Sequence, residues 1–298
     1  MSADSILGYE VFVSDPVPTN LPGLLPNGEP HMFDPLATTL IYGEHDAVLA
    51  EAPFTVDQGK AVGDWVAASG KNLTHIFASH GHGDHWFTAG MLADRFDAQV
   101  VALPGTIEQM RGNVAARPVL YDKLWPGLLP QTPVTAVSVP GNRFTLEGHD
   151  VVLVGVGHTD TDDCAVLHVP DLGLVVAGDA IYNGVHQYLG ESADGGRDAW
   201  RAAIDTVEKL GPRWVVASHK NKDLDDDPAR AIAQTRQYID DADQLLKENS
   251  TALGFFNAML ARYPERRQGA TVLWAGTNSL YAGTGDPLQD ALTGWVTP

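Results

Sequence analysis

The chain has 298 residues, 44% of them hydrophobic, enough for a substantial buried core in one large domain or two. Its 38 acidic against 19 basic residues give a formal charge of −19, which argues against a polyanionic partner such as nucleic acid or an anionic membrane surface. The single cysteine, Cys164, rules out an internal disulfide framework; with no basic leader at the amino terminus and no apolar stretch of membrane-spanning length, the expectation is a cytoplasmic protein.

The first third carries strand-like runs at Gly8 to Ser14, Ala37 to Gly43 and Ala47 to Ala50. A Pro/Gly/Asn-rich connector, Asp15 to Pro35, separates the first two and reads as an ordered loop near a site entrance. Thr55 with Gln58 forms a capping box, and Val62, Trp65 and Val66 recur at helical spacing until Gly70. The run Leu73 to Ala78 is a short buried strand. Beyond it come a short helix over Phe87 to Phe96, a strand over Ala98 to Leu103 and a helix from Pro104. Arg117 to Pro133 is irregular, and its Tyr121, Leu124 and Trp125 are either local core or a flap over a pocket. Strands follow at Val134 to Val139, Arg143 to Leu146, Val151 to Val156, Cys164 to Val169 and Leu172 to Ala177, then a helix over Asp198 to Leu210 and a strand over Arg213 to Ala217. Past Asp223 the pattern turns helical, with Asp227 and Pro228 as start signals for a long amphipathic helix, a second helix carrying Leu253, Phe256, Leu260 and Tyr263, and a weaker apolar stretch from Thr271 to Tyr281. The expected division is a catalytic unit over 1–225 and a helical extension over 226–298 lying on it.

The chemistry concentrates in Ser79 to Trp86, SHGHGDHW, which leaves the end of the strand before it. His80, His82, Asp84 and His85 are metal-ligand types, separated by Gly81 and Gly83 so that a short backbone can bring them together. One such loop does not complete a site, and further ligands are expected elsewhere. His158 after VVLVGVG, Asp179 after LGLVVAG and His219 after RWVVAS each stand at the end of an apolar run. Seven ligands suggest two metals: His80, His82 and His158 on one, Asp84, His85 and His219 on the other, and Asp179 bridging through its two oxygens. The donors suit zinc first, with iron or manganese accepting the same set.

The order His-x-His-x-Asp-His, Gly-His-Thr, Gly-Asp and Ser-His resembles the metallo-β-lactamase superfamily over about residues 8 to 222. The resemblance implies an αβ/βα sandwich, two β-sheets face to face with helices outside, and a dinuclear site at the sheet edge. Asp179, where the best-known zinc β-lactamases place a cysteine, is similar to the lactonase and glyoxalase II branches. Leu49-Ala50-Glu51-Ala52-Pro53 replaces the family's Leu-Ile-Asp-Thr-Gly segment, so Glu51 is the substitute for its carboxylate. Cys164 reads as a small buried hydrophobe. Trp86 is expected on the pocket wall. Tyr182 either faces the substrate carbonyl, as a tyrosine at this spacing does in acyl-homoserine lactonases, or packs in the core; Lys220 is either an anchor for a substrate carboxylate or a surface lysine.

The implied activity is attack of a hydroxide, shared by two divalent cations, on the carbonyl of a small ester or lactone, with Asp84 delivering a proton to the leaving atom and Tyr182 helping to hold the oxyanion. Thioester or β-lactam hydrolysis is the nearest alternative. A phosphodiesterase, a mononuclear iron oxygenase and a non-catalytic binding protein are further ones. The expected partner is a small molecule, with a homodimer open as an arrangement of the helical extension.

Overall fold

The computed structural model describes residues 7–266 and 268–283. Its first half runs β1 (Gly8–Val13), β2 (Val17–Pro18), β3 (Met32–Phe33), β4 (Ala37–Tyr42), β5 (Asp46–Ala50), α1 (Val56–Ala68), β6 (Asn72–Phe77), α2 (Ala89–Phe96), β7 (Gln99–Val101), α3 (Pro104–Ala116) and α4 (Tyr121–Leu124). The second half runs β8 (Arg143–Leu146), β9 (His149–Gly157), β10 (Cys164–Val169), β11 (Leu174–Val176), α5 (Gly196–Lys209), β12 (Trp214–Val216), α6 (Pro228–Glu248), α7 (Ala252–Arg262) and α8 (Ala270–Ala282). Two five-stranded sheets result, ordered β1-β4-β5-β6-β7 and β12-β11-β10-β9-β8.

Side-chain alternation along these strands separates three apolar layers. On β4 and β5, Ile41, Val48 and Ala50 face the second sheet, where they join Leu153, Leu167 and Val176. Leu40 and Leu49 point the other way, onto Val62 and Val66 of α1 and Leu92 of α2. On the second sheet Val166, Val175 and Val215 face outward against Trp200 and Ile204 of α5, Ile239 of α6 and Phe256 of α7. The stack is helix, sheet, sheet, helix, as the expected αβ/βα sandwich requires. The helices past Pro228 share one apolar cluster with β10, β11 and β12, so they lie on the outer face of the second sheet.

Local signals act as the sequence suggests at α1, where Thr55 Oγ1 accepts from Gln58 N at 3.3 Å and Gln58 Oε1 accepts from Thr55 N at 3.4 Å. Asp227 caps α6 by accepting from Arg230 N at 2.6 Å, and Pro228 occupies its first turn. The strand expected at Val134 to Val139 does not form. Only Val137 bridges Val101, at the edge of the first sheet, while Val134 and Val137 are 49% and 47% exposed. An edge strand of three residues, β7, has few backbone groups to offer, and the valines gain no burial by extending the ladder. The irregular segment after α3 resolves both alternatives held for it: Tyr121, Leu124 and Trp125 are buried and also line a pocket.

Candidate metal centre

β6 delivers the histidine loop, and close packing explains its two glycines. A Cβ on Gly81 would stand 2.4 Å from Gln109 Cβ on α3, and one on Gly83 would stand 2.2 Å from Phe87 Cζ. A tight turn over Gly83–His85 then presents Asp84 and His85. Trp86 does not reach the pocket wall as expected. It is fully buried behind the loop and its Nε1 donates to Gly81 O at 2.9 Å, because an indole in this apolar layer still needs an acceptor.

His85 and His219 face two carboxylates. Asp84 Oδ2 lies 3.1 Å from His85 Nε2 and 3.3 Å from His219 Nε2. Asp179 Oδ1 lies 3.6 Å from His85 Nε2, and its Oδ2 lies 3.6 Å from His219 Nε2. The far nitrogens of both rings are held from behind: His85 Nδ1 by Glu51 Oε2 at 2.7 Å and His219 Nδ1 by Pro35 O at 3.0 Å. Glu51 thus makes the carboxylate contact anticipated of it. Tyr182 both lines the pocket and donates its Oη to Asp179 Oδ2 at 2.5 Å.

A second set forms around His80 and His82, and its third member is Asp160. Asp160 Oδ2 lies 3.5 Å from His80 Nε2 and 2.8 Å from His82 Nδ1, off the line of a hydrogen bond. His82 Nε2 meets Glu191 Oε1 at 3.0 Å, and Thr161 Oγ1 donates to the other Glu191 oxygen at 2.6 Å. His158, expected here, is displaced. Its Nδ1 pairs with Asp162 Oδ1 at 2.7 Å and its Nε2 lies over Gly196, 2.7 Å from where a Cβ would be. β9 continues to Gly157, a glycine at positive φ; beyond it His158 packs against Gly196 with its Nε2 buried and without a hydrogen-bond partner, and Asp160 comes beside His80 and His82. Cys164 is buried at the start of β10, its thiol pushed well above the usual range by burial and by Asp160, and its Sγ donates to Thr161 O at 3.2 Å. It stays a neutral thiol.

Among the described residues, ligand-type atoms within 4.8 Å of one another form the groups Asp84, His85, His219; His80, His85, Asp179; and His80, Asp160, Cys164. Nε2 of His80 and of His85, Oδ1 of Asp179 and Oδ2 of Asp160 are buried with no hydrogen-bond partner. Orphaned acceptors in such numbers are costly unless a cation satisfies them, and imidazole with carboxylate is the donor set for zinc, iron or manganese, so the residues fit divalent ions. The electrostatics agree. Burial alone would raise the Asp84 carboxyl, yet His85 and His219 hold it well below the usual range. Burial alone would lower His85 and His82; Asp84, Asp179 and Glu51 raise the first, and Asp160 and Glu191 the second. Without metal the cluster holds protons where a cation would otherwise sit.

The cluster forms the floor of a pocket of ≈ 330 Å³. One wall is apolar: Phe33, Leu120, Tyr121, Leu124, Trp125 and, from α8, Val272. The lining also carries the carboxylates Asp34, next to Phe33 in the chain, and Asp160, Asp162 and Glu191. Lys220 does not anchor substrate there. It is 4% exposed, does not line the pocket, and its Nζ is paired with Asp226, because a buried ammonium requires a carboxylate partner. The connector before β4 does reach the site: β2 and β3 pair Val17 with Phe33, which brings Phe33 and Asp34 to the rim.

The model of the metallo-β-lactamase superfamily matches residues 37–219, more than half of the chain and all of the elements that carry these side chains. The chain belongs to the metallo-β-lactamase superfamily. Solved metallo-β-lactamases share its fold at low identity. DIM-1 is 16% identical with a TM-score of 0.57, covering 81% of this chain and 95% of its own. A metallo-β-lactamase from Pontibacter korlensis is 16% identical with a TM-score of 0.55, covering 78% and 99%. FIM-1 from Pseudomonas aeruginosa, in its mono-zinc form, is 15% identical with a TM-score of 0.54, covering 79% and 92%. No curated protein matches the chain.

Within this metallo-β-lactamase fold, sequence reasoning missed Asp160, Glu191 and Asp34. The signal for Asp160 was the loop Thr159 to Asp163, which carries three carboxylates between two strands. No local pattern marks Asp34 or Glu191, because both reach the pocket from irregular segments. Among the described residues no helix is long and apolar enough to cross a membrane.

Proposed function

We propose that the chain is a metal-dependent hydrolase of a small carbonyl compound, an ester or lactone in the first instance. The observation that carries this reading is the set of buried imidazole and carboxylate atoms of His80, His85, Asp160 and Asp179 without a hydrogen-bond partner, the two carboxylates lining a pocket with apolar side chains and the two histidines packed against them. His80, His82 and Asp160 would hold one ion, and Asp84, His85 and His219 a second, with Asp179 between them. Bound there, such ions supply an acidified water and a Lewis acid for a carbonyl oxygen.

The chain's own groups do the rest. Phe33, Leu124 and Trp125 keep bulk water from one side of the substrate and strengthen every charge interaction on the other. Burial and the nearby Asp179 and Asp160 carboxylates keep Tyr182 a neutral phenol well above its usual range, so its Oη holds a proton on Asp179 Oδ2 and fixes that carboxylate's orientation. Asp84 stays ionised and is the group that can carry a proton from the attacking water to the leaving atom.

Hydrolysis of β-lactams is the second reading, favoured by the solved relatives, which are β-lactamases by name. Turnover of an aryl ester, an aliphatic lactone, a thioester, a β-lactam and a model phosphodiester, each with metal-loaded and chelated protein, tests both. Ester or lactone cleavage that vanishes on chelation is the expected result. Undiminished turnover after chelation, or cleavage of the phosphodiester alone, overturns the proposal.

A further inference from the structure

We propose that the substrate of this site carries a cationic group, an ammonium or substituted ammonium, which Asp34 receives beside the aromatic wall. The inference rests on the hydrolase reading for the reaction but not for the binding itself.

Asp34 is 4% exposed and lines the pocket, and its Oδ2 is buried with no hydrogen-bond partner. A carboxylate oxygen in that state is a binding group without its ligand. The other carboxylates of the pocket are engaged. Glu191 uses one oxygen on His82 and the other on Thr161, and Asp162 holds His158. Asp84, Asp160 and Asp179 belong to the ion-holding set. Among the described carboxylates of the pocket outside the ion-holding set, Asp34 is the one with a buried oxygen left without a partner, whereas the second oxygen of Asp162 is open to water.

Its surroundings select the sign of what binds. Among the described residues no lysine or arginine lines the pocket, and Lys220 is paired with Asp226. Two dications would meet three carboxylates in the ion-holding set, which leaves Asp162 and Glu191 as further carboxylates of the lining, and a cation beside the buried Asp34 would hold its carboxyl in the ionised form. A second anion would be repelled, and a cation drawn in. Aromatic faces complete the recess. Phe33 precedes Asp34, its ring packs edge-on against Trp125 at 5.0 Å and near His219 at 6.4 Å, and Tyr182 stacks on His219 at 5.8 Å. A carboxylate flanked by aromatic rings is the pairing that holds ammonium groups, through charge on one side and ring quadrupoles on the other. The corollary is that substrates bearing a carboxylate, the common β-lactams among them, are disfavoured here.

The test has a binding arm and a turnover arm, both on the full metal-loaded chain. Calorimetry with phenyltrimethylammonium, its neutral isostere tert-butylbenzene, and benzoate gives affinities that need no catalysis. Hydrolysis of phenyl acetates carrying a trimethylammonio, a tert-butyl or a carboxylate substituent gives kcat/KM. The expected order in both arms is cation, neutral, anion, with Asp34→Asn weakening the cation roughly ten- to hundredfold, the scale of a lost close charge pair, and Asp34→Glu restoring part of it. Metal content of each variant reports that it folds, and if Asp34→Asn does not, the wild-type order decides. Benzoate binding as tightly as the cation, or Asp34→Asn weakening cation and neutral probe alike, overturns the inference. If no acetate is cleaved while the cation still binds best, the hydrolase reading falls and this one stands.

Discussion

Glu51 Oε2 lies 2.7 Å from His85 Nδ1, with both side chains wholly shut off from solvent. Glu51 adopts a left-handed backbone, φ 67°, to do so, an unfavourable conformation for a residue with a Cβ. The contact fixes which His85 nitrogen faces the cluster. Asp84 and Asp179 lie on the opposite side of the ring.

Replacing Glu51 by Gln should therefore loosen metal more than it loosens the fold. We expect metal affinity to fall about 10- to 100-fold, the usual cost of removing a group that orients a ligating histidine. Competition with a chromophoric chelator measures it. Unchanged affinity would mean that His85 needs no such support.

The two candidates for the third position beside His80 and His82 are separable by metal counting. Asp160→Ala should reduce bound metal by about one ion per chain, whereas His158→Ala should leave the count unchanged, since His158 is engaged with Asp162. Elemental analysis after dialysis decides between them. Loss of an ion from His158→Ala with none from Asp160→Ala would return the ligand to the position that the Gly-His-Thr pattern suggested.

The metal-free protein should lose stability as pH rises. Burial opposes protonation of His219, but Asp179 and Asp84 push it up to about 9 from an ordinary 6.5. Between those values the folded chain keeps a proton that the unfolded chain has released, so stability declines with pH across this window and the contribution is complete only below it. Denaturant melts of chelated protein over that range check the slope. Metal binding must expel the same proton, so affinity should increase over the window, with proton release visible by calorimetry in buffers of different ionisation enthalpy.

Lys220→Ala should act on stability. The change leaves the Asp226 carboxylate, 12% exposed, without its cation, though Tyr9 Oη still donates to it at 3.3 Å. A loss of about 3 kcal/mol is expected for breaking one partner of a buried pair, read from chemical denaturation. A changed KM without a changed midpoint would restore Lys220 to the pocket.

The fold was legible where period and punctuation coincide. The short apolar runs of β4, β5 and β10 and the capping residues Thr55 and Asp227 are local signals that the tertiary structure reinforces. Val134 to Val139 is such a run too, but a strand also needs a neighbour, and the sequence does not state that β7 is short and at an edge. In the site, His80, His82, Asp84, His85, Asp179 and His219 were visible because each ends a strand or its adjoining loop. His158 is held by Asp162 with its Nε2 buried and without a hydrogen-bond partner, while Asp160 stands beside His80 and His82, and Asp34 was invisible because its role depends on what β2 and β3 bring beside it. Trp86 and Lys220 share a lesson: residues next to a ligand in sequence point the other way from it.

The pocket's floor and its walls have separate origins. Floor residues sit at the ends of strands that also hold the two sheets together, so altering them endangers the whole molecule. The apolar part of the walls comes instead largely from the connector before β4, from the α3 to α4 segment and from Val272 of α8, where Met32 N donates to Thr271 Oγ1 at 2.9 Å and ties first and last contributors together. New substrate preferences can therefore arise by remodelling peripheral pieces, one near each end of the polypeptide, while the reactive apparatus beneath them is inherited intact.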